Sequence, residues 1–191
     1  MIQRPGAAGF EAPKRLPGEA YEVSGRVRGV PSGYELHEVR AKAGAMVVRA
    51  GGTVGSGKDL LGTDLSFRAE ALNTSFFSDL VSIALPNVAL EAHGRLARVE
   101  AGLLCDGVAI AIGDARVRVS GLLGVWPELD GTDLQVSAWG PDLAAALGPL
   151  VRHAPAAAFK VSADLAGSVE RLTLKRLVAQ LGGSDVEGSL S

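Results

Sequence analysis

A period of 69 residues runs through this chain and limits the fold more than any other feature. The tetrapeptide Gly-Thr-Asp-Leu occurs at 62–65 and again at 131–134. The same offset links Pro17, Pro86 and Pro155, joins Gly25 to Gly94, and carries Gly44 to Gly113 to Gly182. Self-similarity at a fixed spacing marks a supersecondary unit that buries its apolar side by stacking against its neighbours.

Apolar positions obey the period too. Tyr21, Leu90 and Phe159 correspond, as do Val23, Ala92 and Val161, and Val27, Leu96 and Leu165, with mainly polar residues between them. Strict alternation predicts strands with one wet and one apolar face. The next segment is apolar at Tyr34, Leu36, Val39, Ala41 and Ala43, and its counterparts keep the same spacing. The one extra residue between Leu36 and Val39, between Cys105 and Val108, and between Leu174 and Leu177 predicts a β-bulge. Tight turns are expected at Ala43-Gly44, Gly113-Asp114 and Gly182-Gly183. A third strand carries Val48, Val117 and Val186. A fourth begins after the glycine of each Gly-Thr-Asp-Leu, where Leu65, Phe67 and Ala69 match Leu134, Val136 and Ala138. A short helical piece should come after it: Phe76, Phe77, Leu80 and Val81 in the first instance, capped from Asn73-Thr74-Ser75. In the second, Pro141 suits the first turn, with Leu143 and Leu147 inside and Gly148-Pro149 as the stop.

The expected class is therefore mainly β: repeated antiparallel four-strand units with one short helix each, curled into a groove or flattened into a β-sandwich-like solenoid. Residues 1–16 read as a lead-in, 17–85 and 86–154 as full repeats, and 155–191 as a partial third, all in one continuous β module.

Composition narrows the function. Lys and Arg are scattered at a formal net charge of −2 and aromatics make up 5%, which argues against nucleic acid as a partner. The single cysteine, Cys105, excludes an internal disulfide and a cysteine metal cage, and its apolar slot suggests a buried small hydrophobe. No apolar run reaches the ~18 residues of a membrane span. The stretch Gly52–Asp59 imitates a phosphate-binding loop, but it leads into a predicted strand, and Asp59 stands where a metal-binding hydroxyl belongs. No nucleotide is expected. His37, His93 and His153 share no metal spacing, and the Asp130-Gly-Thr-Asp133 run lacks the further ligands of a calcium loop. The expectation is a non-enzyme without cofactor or metal.

The strand Phe159–Leu165, the bulged segment Leu172–Leu177 and the turn and strand Gly182–Gly188, with their counterparts over 17–191, resemble the AsmA-like family of bacterial envelope proteins. The resemblance implies a repeating β-groove, similar to bridge-like lipid transfer proteins, that carries phospholipid between inner and outer membranes. It also implies the periplasmic portion of a protein anchored in the inner membrane by a helix outside this chain, with membrane proteins adjoining its ends. Candidates for the groove lining are Leu36, Val39, Val48, Leu65 and Phe67, then Cys105, Val108, Ile110, Val117, Leu134 and Val136. The same residues would also form the filled core of a closed sandwich. The alternative function is a non-catalytic solenoid supporting envelope or outer-membrane protein assembly.

Overall fold

A computed structural model describes residues 21–57, 59–73, 87–125, 127–147 and 154–190. Its strands are β1 (Tyr21–Val30), β2 (Gly33–Ala43), β3 (Met46–Gly55), β4 (Asp64–Ala71), β5 (Leu90–Val99) and β6 (Gly102–Ile112). They continue as β7 (Ala115–Leu123), β8 (Thr132–Gly140), β9 (Phe159–Gly167), β10 (Leu172–Leu181) and β11 (Ser184–Leu190). All eleven join one open antiparallel sheet in which every strand pairs with its neighbours in sequence. Two-residue turns at 31–32, 44–45, 100–101, 113–114 and 182–183 return the chain alongside the strand it has just left. By contrast, β4–β5 and β8–β9 pair across the longer segments 72–89 and 141–158.

The bulges fall where the extra residues do. Register shifts separate Leu36 from Val39, Cys105 from Val108 and Leu174 from Leu177. At each shift one residue adopts a positive φ: Glu38 at 50°, Gly107 at 58° and Arg176 at 49°. The turns at one end of the sheet open on Gly44, Gly113 and Gly182, with φ of 53–57°. The first of them is Gly44-Ala45, one residue later than expected, because Ala43 still pairs with Met46.

Gly-Thr-Asp-Leu marks a loop that locks itself. The Thr63 hydroxyl donates to the Leu60 carbonyl at 2.6 Å and accepts the Gly55 amide at 2.9 Å. Thr132 repeats this with Leu129 at 2.6 Å and Gly124 at 3.0 Å. The loop resembling a phosphate-binding turn is therefore the end of β3 followed by a clipped return into β4, a strand, with no helix N-terminus among its described residues. Lys58 and Trp126 lie outside the described residues.

The helical expectations fare less evenly. Only α1 (Leu143–Leu147) is described. Asp142 caps it, its Oδ1 accepting the Ala145 amide at 3.0 Å. Pro141 thus precedes the cap instead of filling the first turn. The first helical piece, the lead-in, His153 and Gly148-Pro149 lie outside the described residues.

The structure is mainly β, with the strands in one open antiparallel sheet and no second sheet among the described residues. Alternation in the sequence guarantees an apolar face, but what stands over that face is set by how the sheet continues. The fully buried hydrophobic side chains, Ala43, Ala71, Val108, Leu134 and Phe159, all lie on one side.

Candidate functional site

Directly opposed residues in an antiparallel pair point to the same face, so the register assigns every strand side chain to a side. One row runs Val27, Leu36, Gly52, Leu65, Leu96, Cys105, Gly121, Leu134, Leu165, Leu174, each paired with the next. A second contains Val48, Ala69, Ala92, Ile110, Val117 and Ala138, and reaches Val186 through Val161 and Ala179. Between them, Val39 leads through Ala50 to Phe67 and Gly94, and Val108 through Val119 to Val136.

All eleven candidate residues occupy these rows on one face of the sheet. At roughly 4.8 Å per strand, the rows extend about 48 Å from the first strand to the last. Leu96, Leu165 and Leu174 belong to the same surface; their alternation was visible, but only pairing shows that they extend the row of Leu36 and Cys105. One charge stands on this face among the described strand residues. Arg98, opposite Leu103, turns its guanidinium back to the carbonyls of Val99 and Gly102 in the adjoining turn.

Exposure varies across the face. At the first strands Val23 is 72% and Val27 62% exposed, and at the last Val186 is 59% exposed. In the middle the side chains are half-buried or buried, as at Val108 and Leu134. Cys105 is half-buried, and burial pushes its thiol above the ordinary cysteine range.

The opposite face is charged. Arg28 pairs with Glu35 at 2.5 Å, Arg95 with Asp64 at 2.5 Å, Arg68 with Glu70 at 2.7 Å, and Arg176 with Asp164. Hydrogen bonds from Arg28, Arg95 and Arg68 hold the carboxyls of Glu35, Asp64 and Glu70 below their usual range. His37 also approaches Glu35, at 3.5 Å, and the Arg118 guanidinium lies 5.2 Å from the Trp139 ring centre. Concavities on this side are lined by such polar groups, one by His93, Arg116, Arg118 and Trp139. Among the described residues, no three His, Cys, Asp or Glu side chains converge as metal ligands, and no helix is long and apolar enough to cross a membrane.

No family model matches the chain, and neither a search of curated proteins nor one of solved structures finds a match.

Proposed function

We propose that this chain is a segment of an AsmA-like envelope protein, periplasmic and anchored in the inner membrane, whose apolar sheet face shelters phospholipid acyl chains passing between inner and outer membranes. In this reading β1–β4 and β5–β8 are full units, β9–β11 is a third in part, and the sheet curls with its apolar face inward. The 69-residue steps between Tyr21, Leu90 and Phe159 at the starts of β1, β5 and β9 support the units. The three bulges support the curl, because a bulge bends its strand. So does the burial of Val108 and Leu134 with no second layer described above them.

The observation that carries the proposal is the apolar face itself: three adjoining rows without a charge inside them, on a sheet that no second sheet faces among the described residues. Moving an acyl chain into water costs ~0.8 kcal/mol per methylene, on the order of 12 kcal/mol for a long chain. A continuous apolar surface removes most of that barrier. A non-catalytic structural or interaction solenoid would need no such surface, and would work through the charged side.

The test is site-specific photocrosslinking. A photoreactive side chain at Val117, on the apolar face, should form adducts with labelled phosphatidylethanolamine, whereas one at Ser120, on the polar face, should not. Equal labelling at both, or none at either, would overturn the conduit and favour the scaffold.

A further inference from the structure

A row of basic side chains crosses the polar face where the strands themselves do not require it. Arg40 on β2 is directly opposite Arg49 on β3, Arg49 opposite Arg68 on β4, and Arg68 opposite His93 on β5. Paired positions bring Cβ atoms within about 4.5–5.5 Å, and like charges so placed destabilise a sheet. The chain offers little relief. Glu70 serves two of them, 2.7 Å from Arg68 Nε and 3.6 Å from Arg49 Nη1, and Arg40 has no ion-pair partner among the described residues. The positions 69 residues on are Ala109, Arg118 and Ser137, so the periodic pattern does not explain the triad. Over these strands lies a concavity of about 580 Å³ whose lining includes Arg40, Arg49, Arg68, Ser66 and Glu38.

We propose that this concavity binds a phosphate ester, held by the guanidinium groups of Arg40, Arg49 and Arg68 with the Ser66 hydroxyl as a further donor. Guanidinium presents paired N–H donors that match phosphate oxygens, and an anion there converts the like-charge row from a liability into a binding site. Glu70 competes with the ligand for Arg49 and Arg68, and Glu38 places one opposing charge on the lining. The source of the phosphate is either a soluble phosphate ester or the headgroup of an anionic phospholipid. The arginines and Ser66 stand on the side opposite the apolar rows, although Ala50 and Phe67 of those rows also line the concavity. The proposal does not depend on the lipid-conduit reading.

The experiment uses the whole chain, with calorimetric titration by inorganic phosphate and by glycerol 3-phosphate. A second arm measures flotation with phosphatidylcholine vesicles with and without phosphatidic acid. Substituting R40Q/R49Q should weaken binding of the phosphate probes about tenfold or more, and E70Q, which frees two guanidinium groups, should tighten it. Retention on phosphatidic acid vesicles that is lost in R40Q/R49Q assigns a headgroup; phosphate binding without such retention assigns a soluble ester. Circular dichroism checks the fold of each variant, and E70Q serves if R40Q/R49Q fails to fold. The site is overturned by unchanged affinity in a folded R40Q/R49Q, by weaker binding in E70Q, by no binding of either probe, or by tighter binding of a poly-glutamate peptide than of either phosphate.

Discussion

The Cα of Val108 lies 2.7 Å from the point where a Cβ on Gly94 would stand. The bulge in β6 drives the backbone of Val108 against β5, and Gly94 meets it with a φ of +156°. Gly25 and Val39 repeat the contact at 2.6 Å. Substituting Gly94→Ala should therefore lower stability by roughly 2–3 kcal/mol, through backbone displacement and an unfavourable φ. Gly107→Asn is the contrast: φ is +58°, nothing stands within 4 Å of an added Cβ, and Glu38 and Arg176 hold the corresponding conformation. It should cost under about 1 kcal/mol. Urea unfolding midpoints of the two variants check this, and equal losses would refute the close-contact explanation.

Thr132 ties its loop with both capacities of its hydroxyl and is only 7% exposed. Thr132→Val keeps the volume but leaves the Gly124 amide and the Leu129 carbonyl without that partner. A loss of about 1–3 kcal/mol is expected, the cost of stranding buried polar groups. Thr63→Val removes the same pair of bonds at a less buried site and should cost less. Denaturant midpoints of the two variants, compared in one buffer, decide the order.

Acid should weaken the polar face. Glu35, Asp64 and Glu70 are held below their ordinary values by hydrogen bonds from Arg28, Arg95 and Arg68. A carboxyl with a lower pKa in the folded than in the unfolded chain stabilises above the unfolded value and loses that contribution as pH falls through the folded one. The unfolding midpoint should hold steady from neutral pH to about 5 and decline below about 4. The triple variant Glu35→Gln/Asp64→Asn/Glu70→Gln should show a shallower decline. Matching slopes for the two proteins would mean that these exposed pairs contribute nothing.

Much of the sheet was legible because period-two alternation and the extra residue in each bulge are local signals. Tyr21, Leu90 and Phe159 all begin strands, and Leu36, Val39 and their counterparts flank every bulge. That the described strands form one sheet was not legible, since alternation reveals an apolar face and not what lies above it. Nor was the basic row: Arg40, Arg49 and Arg68 are spread along the chain and meet only through register. The positive φ at Glu38 and Arg176 also escaped, because only Gly107 advertises that conformation by residue type. At α1, Pro141 drew attention from the true cap, Asp142, whose carboxylate forms the bond that a proline cannot.

Cys105 reports on the apolar face from within it. It lies between Leu96 and Gly121 in one of the three rows, with burial raising its thiol pKa. Thiol reagents act on the thiolate, so modification should be slower than for a free cysteine at neutral pH and should rise steeply on going to alkaline pH. An uncharged maleimide should outpace a sulfonated one of similar size by about tenfold, because only the former is at ease among Leu and Val side chains. A short-chain phosphatidylcholine added below its micelle concentration should slow the uncharged reagent by occupying that surface. The rates are read by mass spectrometry over time. Equal rates for the two maleimides, with no protection by lipid, would mean that the thiol faces ordinary solvent and that these rows do not receive acyl chains.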